Sequence, residues 1–411
     1  MSYKMLRKAF HDPAIDDEEL YKSRYESEFA IKVGCDVAGS PAFCVLTPEL
    51  SMLLVQAAKI DKDVFRLICK LPDKAVEDYM NACLIDEIVL TNEIENVCST
   101  RREIAEVLDN LAKNGRRRRF HGIVAKYNML LKGEAVDLGS CADIRKLYDD
   151  LVLDEVLESD RNKIPDGKWF RKEPVSVVDG AEREIHKGVT PESRIIEMME
   201  CLLTFLNRED LDLLVRVAVC HFLFGYIHPF YDGNGRTNRF ISSYMIANEY
   251  ERLVGLRLSF AIKEEIEKYY KAFAVCEHPL NRGDLTPFVI SFAEIVVSGM
   301  ARLKEALAER EADLLRYENL ARCLYEGDML RVVNILIVAR LFAVYGVTAD
   351  ECTEALGITR QTLYKRTKAL RDEGILQIKK VGRKTYYSCD LSTLEQRANV
   401  QGSQSGHFSA R

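Results

Sequence analysis

The chain of 411 residues contains no run of about 18 apolar residues, and its opening, MSYKMLRKAFHDPAIDD, lacks the hydrophobic stretch of a secretion signal. The expectation is a cytoplasmic protein with no membrane attachment. Its 12 cysteines include no C-x-x-C pair, which excludes a zinc framework or a dense disulfide scaffold and points to reduced thiols. The 7 histidines show no H-x-x-x-H grouping, so no histidine-ligated metal is expected. Basic charge is not in excess: 58 Lys and Arg against 64 Asp and Glu leave −6. That argues against a protein that coats nucleic acid along its whole length and leaves room for a local basic patch. Strand signals are scarce and internal repeats are absent. What remains is an ordinary globular balance, 47% hydrophobic and 30% charged, too apolar for a disordered chain. At roughly 150 residues per domain, two or three domains are expected.

Apolar and charged residues alternate at spacings of three and four, which predicts a mainly α protein. Helices are expected over Pro48–Ile60, Lys74–Asn96, Ser99–Asn114, Ile144–Glu158, Pro191–Leu206 and Asp210–Tyr226. Further ones are expected over Gly235–Arg252, Lys263–Cys276, Thr286–Tyr317 and Gly327–Val344. The exception is Glu173–Gly188, where a β-branched run, the turn pair Asp179-Gly180 and a second short run predict a hairpin. Beyond residue 318 the pattern becomes helix, helix, the breaker Gly357, a third helix over Thr359–Glu373, then paired strands Leu376–Lys380 and Lys384–Ser388. That is the order of a winged helix-turn-helix. The tail Gln396–Arg411 is small and polar and is expected to be disordered. The run Arg116–Arg119 reads as a solvated loop, with a phosphate or acidic-partner contact as the alternative.

One segment carries chemistry: His228-Pro229-Phe230-Tyr231-Asp232-Gly233-Asn234-Gly235-Arg236-Thr237-Asn238-Arg239. An apolar helix ends at a histidine, and Pro229 stops it. The Asp232–Gly235 loop lets backbone N–H groups converge on an anion, and the dipole of the next helix points the same way. Arg236 and Arg239 lie three apart and can fork onto phosphate oxygens. Asp232 offers a hard oxygen for Mg²⁺, and His228 accepts a proton near neutral pH. The inventory suits transfer of a phosphorus-centred group from a metal-bound nucleotide to a hydroxyl.

The segment resembles the HPFx[D/E]GNGRxxR signature of the Fic family, with every specified position present. The resemblance implies a Fic helical core with a β-hairpin flap, and an adenylyltransferase that passes AMP from ATP to a Ser, Thr or Tyr hydroxyl of a target protein. It makes His228 the general base and Phe230 the plug that seats the loop, and it makes Asp232 the Mg²⁺ ligand. Gly233, Asn234 and Gly235 become the anion hole, with Arg236 on the β-phosphate and Arg239 on the γ-phosphate. The Glu173–Gly188 hairpin stands where the family carries its target-aligning flap, and His186 within it reads as a surface histidine rather than a target contact. Tyr269-Tyr270 with Asn281–Phe288 resembles the family's region near the adenine, with extra residues between, and implicates Tyr270. Self-modification and a homodimer are expected from the family. The resemblance covers roughly residues 45–300, giving an N-terminal helical region 1–120, a catalytic core 121–318, a winged helix 325–395 and a tail 396–411.

Thr91-Asn92-Glu93-Ile94-Glu95-Asn96 is a weak match alone, but at the end of an amphipathic helix it resembles the family's [S/T]xxxE[G/N] inhibitory helix. That match makes Glu95 pair with Arg239 where the γ-phosphate would bind, with AMP removal as a second role. In the C-terminal module, Arg360–Lys384 holds nine basic residues against two acidic ones. Arg360, Gln361, Tyr364, Lys365 and Lys368 would face outward as on a recognition helix, with Lys379–Lys384 as the wing, so DNA is a candidate partner. The competing readings are a protein-interaction module, a DNA-binding regulator that uses the Fic region as a nucleotide sensor, and transfer of a different phosphate-containing group.

Overall fold

A computed structural model describes residues 3–111, 118–178 and 184–405. The chain divides into two compact units, Met1–Lys62 with Leu84–Arg302, and Asp63–Cys83 with Leu303–Arg411. Of the expected N-terminal region 1–120, residues 63–83 group with the second unit and the rest with the first.

The first unit is built around the helix Leu213–Ile227, which buries 12 of its 15 residues. A helix apolar on all sides can be satisfied only in a core, and this one packs between Glu192–Leu206 and Asn234–Glu249. The expected helix Ile144–Glu158 is in fact three pieces, Cys141–Tyr148, a π-helical turn Asp149–Leu153, and Asp154–Ser159. The expected helix Lys263–Cys276 breaks at Glu265 into Leu258–Glu264 and Ile266–Cys276. A helix His121–Lys132 and a hairpin Ala30–Val37/Ser40–Val45 were not expected. The hairpin depends on distant backbone: Phe43 N–H donates to the Gly283 carbonyl at 3.0 Å, and Leu285 N–H to the Phe43 carbonyl at 2.7 Å. Arg118 and Arg119 pair with Glu106 and Glu103 of the helix Arg101–Leu111, as a solvated basic run does. Arg116 and Arg117 lie outside the described residues.

The second unit takes residues from the long helices Pro48–Ile68, Asp73–Ile94 and Thr286–Leu324, and Tyr79 packs edge-on against Phe342 at 6.3 Å. Then follow Gly327–Phe342, a short strand Val347–Thr348, Ala349–Leu356, Arg360–Asp372, the strands Leu376–Val381 and Lys384–Cys389, and Leu391–Ser405. The strands form an antiparallel sheet with Lys384–Cys389 in the middle. Thr348 and Glu351 make a reciprocal capping box, Thr359 caps the next helix, and Gly357 ends the one between with φ +65°. The disorder expected from Gln396 is corrected: the chain stays helical to Ser405, because Leu394 and Ala398, four apart, form one buried face. Among the described residues one helix, Thr286–Leu324, is long and apolar enough to cross a membrane, and 67% of its most apolar window is buried within the protein.

Candidate active site

His228 closes the helix Leu213–Ile227 in the left-handed conformation, φ 52° and ψ 62°. The turn sends Phe230 into the core, fully buried and stacked on Tyr148 at 3.7 Å. Asn234 ties the loop shut, accepting the Phe230 N–H at 2.9 Å and donating to the Phe230 carbonyl at 2.8 Å. Gly233 caps the following helix with φ +76°, and a Cβ there would lie 2.8 Å from Val152 Cγ2. The helix begins at Asn234, and its first turn leaves N–H groups with no intrahelical carbonyl to bond. Burial pushes the His228 imidazole down to about 4, with His186 adding to it and Glu95 opposing. The ring is therefore neutral at pH 7 and able to take a proton.

Arg239, 2% exposed, is held by the helix that precedes the core. Its Nε donates to Thr91 Oγ1 at 2.7 Å, and its Nη2 to the Thr91 carbonyl at 3.1 Å and to Glu95 Oε1 at 2.8 Å. Burial works against the guanidinium charge, but Glu95, together with Tyr269 and Tyr270, more than offsets it and raises its proton affinity. The Glu95 carboxylate lies where a Cβ on Gly235 would be, so only glycine at 235 admits it. Thr91, the first residue of the upstream match, thus has a role that spacing did not assign: its hydroxyl and carbonyl aim Arg239.

These groups share a cavity of about 310 Å³ lined by Glu95, Asn96, His186, His228, Asn234, Gly235, Arg239, Tyr269, Tyr270, Phe273 and Glu277, among others. Of the expected residues, His228, Asn234, Gly235, Arg239, Tyr270 and Glu95 therefore converge. Tyr270 is 47% exposed at the rim. Asp232, Gly233 and Arg236 are not part of that lining. Arg236, expected on a phosphate, donates to Glu155 Oε2 at 2.6 Å with its side chain 3% exposed. Burial raises Glu155 to about 7, against the pull of Arg236. Asp232 accepts from Lys163 Nζ at 2.8 Å. Burial pushes its carboxyl up, but the Lys163 hydrogen bond and charge hold it below the usual range. As a partly exposed, ionised hard-oxygen donor, it fits a Mg²⁺ held mainly by water and substrate phosphates.

The hairpin pairs Ser176–Val178 with Glu184–Lys187 in register Ser176↔Lys187, Val177↔His186. The expected Asp179-Gly180 turn lies outside the described residues. His186 is not a plain surface histidine. It is half-buried at the cavity wall, 2.7 Å from the Tyr226 carbonyl and 3.4 Å from Glu277. Sequence reasoning also missed Arg171, which is fully buried and has no carboxylate partner among the described residues. It donates to the carbonyls of His228 at 2.8 Å, Glu173 at 2.7 Å and Val189 at 2.8 Å, so one guanidinium ties both ends of the hairpin to the histidine's backbone.

In the second unit, Gln361, Tyr364, Lys365 and Lys368 are exposed on the helix Arg360–Asp372, with Lys379, Lys380 and Arg383 exposed on the strand pair. Arg360 is exposed as well and pairs with Asp350. Arg366 is turned inward and pairs with Asp328 at 2.5 Å.

Residues 140–246 match the model of the Fic/DOC family. Two proteins named "Protein adenylyltransferase fic-1" are similar: that of Caenorhabditis elegans is 27% identical over 157 residues, and that of Caenorhabditis briggsae 25% over 186. The matches cover 36% and 44% of this chain but only 28% and 34% of those relatives. A crystal structure of a Fic family protein from Desulfovibrio desulfuricans G20 shares the fold with a TM-score of 0.52 at 19% identity, covering 84% of this chain and 97% of that one.

Proposed function

We propose that this chain, with its Fic/DOC domain, transfers AMP from ATP to a hydroxyl of a target protein. The observation that carries the reading is the convergence of neutral His228, the N-terminus of the helix beginning at Asn234, and Arg239 on one cavity. In this reading His228 removes the proton of the Ser, Thr or Tyr hydroxyl as that oxygen attacks the α-phosphorus, and the bond to pyrophosphate breaks. Backbone N–H groups at Asn234 and Gly235 stabilise the charge that develops on the phosphoryl oxygens. Asp232 is the residue that would hold Mg²⁺, which when bound would neutralise phosphate charge. Arg239 would grip the terminal phosphate and Tyr270 would flank the base, while the hairpin would align the target by backbone pairing.

Glu95 is the brake. It occupies the guanidinium that the terminal phosphate needs, so ATP is held poorly aligned until Glu95 leaves. A second role for Glu95, orienting water to remove AMP, is part of the proposal. The test follows label from α-labelled ATP with Mg²⁺ in wild type, Glu95→Gly and Glu95→Gly/His228→Ala. Weak, strong and absent label, respectively, are expected. Label that is unchanged in Glu95→Gly overturns the brake, and label that survives loss of His228 overturns the base. Mass spectrometry of the labelled protein separates AMP from UMP or phosphate.

The exposed basic face of the helix Arg360–Asp372 and its adjoining strands favours a second reading, a winged helix that binds duplex DNA. Arg360→Ala with Lys365→Ala is expected to abolish retention of a duplex in a mobility-shift assay. Failure of the wild type to bind any duplex would leave a protein-interaction module instead.

A further inference from the structure

The carboxylate assigned to the cation is already engaged. Lys163 Nζ holds Asp232 Oδ2 at 2.8 Å, and the Gly233 N–H holds Oδ1 at 2.6 Å. This lysine is built into place rather than merely nearby. It ends the short turn Arg161–Lys163, which Asp160 caps by accepting the Asn162 N–H at 2.9 Å. Three residues on, Asp166 accepts from the hydroxyl of Tyr231, the neighbour of Asp232, at 2.9 Å and from the Lys172 N–H at 2.9 Å. The segment carrying Lys163 is therefore tethered to the motif loop itself. Among the described residues the other cation near Asp232 is Arg236, whose Nη2 stands 4.0 Å from Oδ1 but whose Nη1 is committed to Glu155 at 2.6 Å.

We propose that Lys163 is the resident counter-ion of Asp232 and that its displacement sets how readily a divalent cation enters the site. The inference rests on Asp232 being the cation ligand, as in the proposed function. A lone carboxylate binds Mg²⁺ or Mn²⁺ weakly, and an ammonium on one of its oxygens weakens it further by taking a lone pair and by repelling the incoming charge. The lysine side chain is 43% exposed and on a flexible stem, so it can swing into solvent when the cation arrives. The arrangement mirrors the other end of the site, where Glu95 occupies Arg239. At each end the chain supplies the charge opposite to that of the group it presents.

The test titrates Mn²⁺ alone, without nucleotide, into the full chain and follows paramagnetic broadening of the Gly233 and Gly235 amide resonances. Lys163→Met lowers the half-broadening concentration by about three- to fivefold, the effect of one partly exposed ion pair, while Lys163→Arg stays within about twofold of wild type. Asp232→Asn abolishes the broadening. Equal titrations for wild type and Lys163→Met, or broadening that survives Asp232→Asn, overturn the proposal. Lys163→Gln, read in the same way, covers a Met variant that fails to fold. Because no nucleotide is present, a failure of AMP transfer in the Glu95 variant overturns the catalytic reading without touching this result.

Discussion

At residue 235 a single hydrogen atom decides whether Glu95 can reach Arg239. Gly235→Ala places a methyl group on the Glu95 carboxylate, the movable end of that side chain, and is expected to push it off Arg239 at about the cost of that partly exposed ion pair, ~1 kcal/mol. In a Glu95→Gly background the same substitution should cost clearly less. Urea melts of the four proteins in that cycle measure the coupling, and additive effects would contradict the contact. His228 gives a second prediction. Burial lowers its proton affinity to about 4, and a base works only above its pKa, so in Glu95→Gly its acid limb lies near or below pH 4. Removing Glu95 takes away a charge that favoured the imidazolium, which moves the limb lower still. Transfer should then show no histidine limb between pH 5 and 8, whereas an unshifted histidine with pKa about 6.5 would give a roughly thirtyfold fall by pH 5. A limb near pH 7 that disappears in Glu155→Gln belongs to Glu155, which burial raises to about 7.

Among the elements, the hairpin depends most on one side chain. Arg171→Met leaves the carbonyls of His228, Glu173 and Val189 without their buried donor and is expected to cost about 3–5 kcal/mol, read as a lower urea midpoint. Arg171→Lys, keeping the charge but not the fork, should recover little of it. In a Glu95→Gly background, if the hairpin aligns the target as proposed, the surviving fold should show a raised KM for target protein with ATP affinity unchanged. The helices, the strand pair at Ser176–Lys187 and the motif loop were legible because their signals are local: apolar spacing, a β-branched run, glycines beside Asp232. The hairpin Ala30–Val45 was not legible, because its pairing partner lies at Gly283–Leu285. Neither was Arg171, a lone arginine in a loop whose acceptors are all backbone carbonyls. The Arg236–Glu155 pair was not legible either, because Glu155 lies 81 residues upstream and no local spacing links the two. The helical tail was missed because two small contacts, Leu394 and Ala398, sit within an otherwise polar stretch.

For the whole molecule, a net charge of −6 coexists with a strongly basic surface in the second unit. If that surface binds duplex DNA, affinity should fall steeply with salt, and each lysine removed from a phosphate contact should reduce the log–log salt slope by about 1. Lys365→Ala and Lys368→Ala test this singly, and a slope unchanged in both would place the contact elsewhere. In the first unit, Arg239 Nη2 donates to Glu95 Oε1 at 2.8 Å in the wall of the cavity that His228 shares, and the proposed brake rests on that pair. The most direct test compares AMP incorporation by wild type, Glu95→Gly and Glu95→Gly/His228→Ala with α-labelled ATP. A large gain over wild type is expected in the first variant and none in the second. Equal incorporation by wild type and Glu95→Gly, with both binding ATP, would contradict it.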